Sequence, residues 1–126
     1  MSWQEYVDNQ LVVHECISQA AIYGQNGSLW ATSPGFSLSP EEVTSIVEAF
    51  GNAEKIQANG IFCNSHKYFA LSHDETNIHG RMDKDGVIAS KTKSAVIIVI
   101  YTGEMAGGNA NKIVTGLADY LISQGY

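Results

Sequence analysis

Five aromatic side chains, Trp3, Tyr6, Trp30, Tyr120 and Tyr126, carry the most distinctive chemistry of this 126-residue chain. Their ring faces are flat and apolar, and their indole N–H and phenol O–H groups donate hydrogen bonds. An aromatic side chain buries about 150–250 Å² when packed, on the order of 4–6 kcal/mol at about 25 cal/mol per Å². Chain ends usually fray, so rings placed there need docked helices, a partner, or both. If the first and last helical stretches lie side by side, Trp3 and Tyr6 face Tyr120 and Tyr126 across a shared groove, with Trp30 rising from a sheet below. Such a groove suits a polyproline II peptide, which is extended before it docks and whose carbonyls are free to accept hydrogen bonds. The same rings would equally serve to glue helices to a sheet, and the pattern alone weighs the two readings evenly.

Other constellations carry less. A strand, a glycine loop and a helix around Gly103–Gly108 imitate a phosphate-binding loop, and those two glycines have the right separation. Asn109 and Ala110 then stand where lysine and a hydroxyl are required, and Lys112 comes too late. A nucleotide-binding role is therefore a remote alternative. His14, His66, His73 and His79 show no HxxxH spacing and no paired cysteine ligands, and read as loop and surface histidines with no metal or cofactor implied. Asp83 and Asp85 flank Lys84 in what reads as a solvated turn, not an acid–base pair. No serine, histidine and aspartate set stands out. Nothing calls for an enzyme.

Composition narrows the partners. Seven Lys plus Arg against thirteen Asp plus Glu leave a net charge of −6. That argues against nucleic acid, whose binding is dominated by cations, and against general adhesion to anionic membrane. The opening residues lack a signal-peptide pattern, and the longest apolar run, Ala95–Tyr101, is too short to span a bilayer. Cys16 and Cys63 form no CxxC unit and read as reduced cytosolic thiols, although the sequence leaves a single bridge between them open.

These side chains are positioned by a legible order of elements. Ser2-Trp3-Gln4-Glu5 is a capping box opening a helix with Trp3, Val7 and Leu11 on one stripe and Tyr6 at its margin. Ile17–Tyr23 and Ser28–Thr32 form a hairpin about Asn26-Gly27, and Ser33-Pro34-Gly35 breaks it. Ser39-Pro40-Glu41-Glu42 is a second capping box, starting a helix that runs to Phe50 and stops at Gly51. Strands follow at 60–63 and 67–72, joined around Asn64-Ser65-His66, then at 78–81. A turn at Asp85-Gly86 leads to strands at 87–91 and 95–101, the last covered on both faces. Asn109 is the expected cap of a final helix whose stripe is Ile113, Val114, Leu117, Ala118 and Leu121. Short turns favour antiparallel pairing. The expectation is one α+β domain over residues 1–126, with helices on both faces of an antiparallel sheet.

Read along its length, the chain resembles the profilins. Met1-Ser2-Trp3-Gln4-Glu5-Tyr6-Val7-Asp8 is similar to their opening signature, and Leu117-Ala118-Asp119-Tyr120-Leu121-Ile122-Ser123-Gln124-Gly125-Tyr126 to their ending. Between these, the Asn26-Gly27 hairpin with Trp30-Ala31, Gly60-Ile61, Lys67-Tyr68, Ile78-His79-Gly80-Arg81 and Lys91-Thr92 follow in the same order. The ending and length are nearer to plant and amoeboid members than to the longer vertebrate ones.

The resemblance implies a cytoplasmic, cortical monomer that binds monomeric actin one to one and binds polyproline at a separate site. It implies a block on pointed-end addition, delivery of actin to barbed ends, faster exchange of actin's nucleotide, and recruitment by proline-rich elongation factors. The polyproline set carried over is Trp3, Tyr6, Trp30, Tyr120, Leu121 and Tyr126. The actin set, on the opposite side, is Lys67, Arg81, Gly108, Asn111 and Lys112. A basic strip for phosphoinositides is interrupted here by Met82, Asp83 and Asp85, leaving Arg81, Lys84, Lys91 and Lys93 and implying weak binding. Ala106 replaces a larger or polar actin contact of some relatives, which bears on actin affinity. A proline-peptide adaptor with weak or lost actin binding is the alternative.

Overall fold

The unbroken apolar run Ala95–Tyr101 is a strand buried along its whole length, and both layers of the protein pack against it. In the computed structural model, which describes residues 3–14, 16–33, 36, 38–52, 54–63, 66–103 and 107–126, it is the last of seven strands. These are β1 (Ile17–Gly24), β2 (Leu29–Thr32), β3 (Ile61–Cys63), β4 (His66–His73), β5 (Asn77–Met82), β6 (Asp85–Lys91) and β7 (Ala95–Tyr101). All pairings are antiparallel and the order is β2-β1-β7-β6-β5-β4-β3. The sheet is thus a meander from β3 to β7, closed by inserting β7 beside β1.

The twofold side-chain period of β7 divides the core. Ala95, Ile97, Val99 and Tyr101 join Ile22 and Ile88 under the helical turns at Trp3–Leu11 and helix α4 (Gly107–Ser123), which contributes Val114, Leu117, Ala118 and Leu121. Val96, Ile98 and Ile100 join Tyr68 and Ile78 under α2 (Pro40–Ala49) and α3 (Glu54–Asn59), through Val43, Ile46 and Ile56. The expected α+β architecture, with helices on both faces of an antiparallel sheet, is present.

Local details depart from expectation for identifiable reasons. The first helix is a four-residue turn, α1 (Trp3–Tyr6), followed by a π-helical turn, Val7–Leu11, closed by the Val12 N–H on the Val7 carbonyl at 3.0 Å. Helix α3 went unforeseen because its one buried anchor is Ile56, so no period shows; its opening sign is Asn52, whose side chain accepts from the Glu54 N–H at 3.1 Å. Helix α4 begins at Gly107, so neither Asn109 nor Asn111 caps it. The α2 capping box at Ser39 and Glu42 forms in both directions. The other expected capping serine, Ser2, lies outside the described residues, as do Pro34, Gly35, Asn64, Ser65 and Ala106.

The turn expected at Asp85-Gly86 falls two residues earlier. Met82 pairs with Asp85, and Asp83 takes the left-handed conformation itself at φ 57°. Gly86 sits inside β6 because a Cβ there would lie 2.2 Å from the Tyr101 ring. Gly86→Ala should therefore lose about 1–3 kcal/mol in urea unfolding, the usual cost of overpacking. Gly116→Ala, placed on α4 in open space, should hold or gain stability, since alanine outranks glycine by roughly 1 kcal/mol in a helix.

Candidate functional site

The two walls of the aromatic site are held by different means. Helix α1 has no fully buried residue. It is pinned from behind by Val7 and Leu11, both inaccessible to solvent, and from the side by Gln4, whose Nε2 donates to the Thr32 carbonyl of β2 at 2.9 Å and to Asp8 Oδ1 at 3.1 Å. The opposite wall is the end of α4, closed by a Schellman motif. Gly125, at φ +92°, donates its N–H to the Ile122 carbonyl, and Tyr126 donates its N–H back to Leu121 at 2.9 Å. The main-chain oxygen of Tyr126 accepts from the Ser94 N–H at 2.6 Å, from Ser94 Oγ at 3.0 Å and from Thr92 Oγ1 at 2.9 Å. These bonds fold the last residue back over the sheet.

Trp3 is the hub that results. Its ring centroid lies 4.6 Å from Trp30, 5.6 Å from Tyr6 and 5.0 Å, edge-on, from Tyr126. Tyr6 meets Tyr120 at 6.3 Å. These spacings are those of favourable aromatic pairs. Trp3, Tyr6 and Trp30 are half-buried, while Tyr120 and Tyr126 are 48% and 45% exposed. The five rings thus form one surface facing solvent. Leu121, expected among them, is fully buried; it supports the patch from below and cannot touch a ligand. Loss of solvent and the neighbouring Tyr120 hold the Tyr6 phenol above its ordinary value; like any neutral phenol, it is an O–H donor.

The second expected set is spread over β4, β5 and the start of α4. Lys67 is exposed, Arg81 is half-buried and donates from Nε to the Asp83 carbonyl at 3.0 Å, and Gly108 and Asn111 are exposed on α4. Gly108 and Asn111 border a small pocket with Asp74, Asn77 and His79, in which Asn77 Oδ1 is buried without a described partner. Sequence reasoning missed the apolar part of this surface. Phe69 (72% exposed) pairs across the strands with Arg81, Phe62 with Lys67, and Leu71 lies further along β4. The alternation Lys67, Phe69, Leu71 along β4 was the available signal, since two of these three positions put large apolar groups on the face carrying a cation.

Lys112 stands apart from that set. It lines a cleft between the first helical segment and α4 that also contains Tyr6 and Tyr120. The proposed phosphoinositide cations are also dispersed: Arg81 is near the end of β5, Lys84 is in the β5–β6 turn, Lys91 ends β6 and Lys93 follows it. Among the described residues no group of three or more His, Cys, Asp or Glu converges as a metal site, and no helix is long and apolar enough to cross a membrane. Both cysteines are free; burial, with the Glu42 charge adding to it, pushes the Cys63 thiol far up. His79 is not a surface histidine. It is half-buried on β5 and bonds through Nε2 to the Tyr101 hydroxyl at 2.5 Å.

A curled antiparallel sheet whose first and last helices share one face and display a ring cluster defines an α+β recognition scaffold. The Profilin family profile matches residues 1–126. Profilin-1B of Acanthamoeba castellanii is 42% identical over 126 residues, covering 100% of both chains. The solved structure of Acanthamoeba castellanii profilin IB superposes with a TM-score of 0.95, covering 99% of this chain and 100% of that one. Mouse profilin IIa, solved in complex with a double repeat from the FH1 domain of mDia1, superposes at 0.83 with 25% identity, covering 100% of each chain. This chain belongs to the profilin family.

Burial, and then the Arg81 charge, hold the His79 imidazole below its ordinary 6.5. The unfolded chain therefore takes up this proton at higher pH than the folded one, and the stability that depends on neutral His79 is present at pH 7.5 and lost as pH falls through about 6.5 and below. In urea unfolding between about pH 7.5 and 5.5, His79→Gln should show a shallower decline in stability than the parent chain.

Proposed function

We propose that residues 1–126 act as one monomeric, non-catalytic domain that binds monomeric actin, regulates its polymerisation, and binds polyproline II segments of partner proteins at a second site. The observation that carries this reading is the solvent-facing cluster of Trp3, Tyr6, Trp30, Tyr120 and Tyr126. A polyproline II helix has no internal hydrogen bonds, so its rings can lie on these faces while indole and phenol donors reach its carbonyls. Pre-extension keeps the ordering cost low. A profilin sharing this fold has been solved with a proline-rich FH1 repeat, which supports recruitment by actin elongation factors of that kind.

For actin, the proposed surface is Lys67, Arg81, Gly108 and Asn111, extended by Phe62, Phe69 and Leu71, with Lys112 at its far margin. Exposed single charges contribute about 0–1 kcal/mol each, so the apolar side chains supply the anchors. Arg81, Lys84, Lys91 and Lys93 form a sparse cationic rim that would hold phosphoinositide headgroups weakly. The working place of such a protein is the cytoplasm and cell cortex.

Titration with a proline decamer should give a saturable change in tryptophan fluorescence, because both tryptophans of the chain stand in the groove. Tyr120→Ala should weaken that binding at least tenfold and leave actin binding intact. Phe69→Asp should weaken binding to actin monomers by about 2 kcal/mol or more, the scale of an interface anchor, and leave the decamer untouched. A folded variant that loses both activities together would contradict two separate sites.

A further inference from the structure

The aromatic groove does not end at the rings. Past Tyr6 and Tyr120 it continues as a cleft of about 570 Å³ between the first helical segment and α4. Its floor is Ile113 and Leu117, and Gly116 keeps that part of α4 low, since a Cβ there would have nothing within 4 Å. The walls are polar, with Gln10 and His14 on one side and Lys112 on the other. No carboxylate is among the described lining residues. In a chain of net charge −6, the cleft therefore carries the sign opposite to the whole protein. Lys112 is exposed and no described carboxylate is paired with it.

We propose that this extension is a subsite for an acidic residue flanking the proline run of a partner. Its carboxylate pairs with the Lys112 ammonium, and Gln10 and His14 supply N–H donors from the facing wall. The inference rests on the aromatic-groove reading above, because continuity through Tyr6 and Tyr120 is what delivers the acidic residue to the cleft. Spacing agrees with a single extended peptide. Lys112 and Tyr120 are eight positions apart on α4, about 12 Å at 1.5 Å per residue. A polyproline II chain covers that distance in about four residues at 3.1 Å each. The acid thus belongs about four residues from the proline seated on Tyr120. Its contribution is selectivity among proline-rich partners, while the rings provide the bulk of the affinity.

The test is a fluorescence titration of the intact chain with proline decamers extended, at one end or the other, by Gly-Glu-Glu or by Gly-Gln-Gln. At one end the glutamate peptide should bind about two- to fivefold tighter than its glutamine twin at low salt, the scale of an exposed ion pair. That advantage should shrink as salt rises, vanish in Lys112→Gln and persist in Lys112→Arg. Equal binding of glutamate and glutamine peptides at both ends overturns the subsite, as does an advantage that survives Lys112→Gln. Failure of the plain decamer to bind would instead overturn the aromatic groove, and the subsite with it.

Discussion

Burial of β7 on both faces is the constraint on which the rest depends. One strand, with Val and Ile at five of its seven positions, contacts every helical layer: its odd-numbered side chains meet the first and last helices, its even-numbered ones meet α2 and α3. Each layer is thin, and neither would hold without the strand between them. Antiparallel pairing of β7 with β1 on one side and β6 on the other also brings the start of the chain beside its last helix. The aromatic cluster is therefore a product of topology. Rings separated by more than a hundred positions meet because the strands nearest them are hydrogen-bonded neighbours.

From that scaffold the protein presents two faces of different chemistry. One is a cluster of rings and phenol donors suited to a flat, hydrogen-bond-accepting peptide. The other is a strand surface with large apolar groups among cations, suited to a broad protein partner. Helix α4 contributes to both. Its first turns place Gly108 and Asn111 at the strand surface, the next residue around the helix, Lys112, looks into the cleft, and its end carries Tyr120 and Tyr126. A single rigid helix thus connects the edges of both surfaces.

Much of this was readable in the residues. The β7 run, the Asn26-Gly27 hairpin and the Ser39–Glu42 capping box each have a local physical cause, so each could be placed without coordinates. The ring set was also legible, because aromatic groups near chain ends need an explanation. What escaped was decided by tertiary contact. Gly86 looks like a turn glycine, but its missing Cβ makes room for Tyr101, and nothing local signals that. Leu121 sits beside Tyr120 in sequence but about 100° further round the helix, which turns it into the core. Helix α3 has too few apolar positions to show a period. The exposed Phe62, Phe69 and Leu71 were passed over because strand alternation says which residues share a face and not which face is left uncovered.

The shallow anchoring of α1 has one further consequence. Its four residues lie over the fold with Gln4 and ring contacts as their outward fastenings, and Trp3 itself is only half-buried. A peptide lying across Trp3, Tyr6 and Tyr126 would bridge the opening segment to the closing one. Occupancy would then damp local opening of the first turn, slow amide exchange there, and join the two ends of the polypeptide into one cooperative unit.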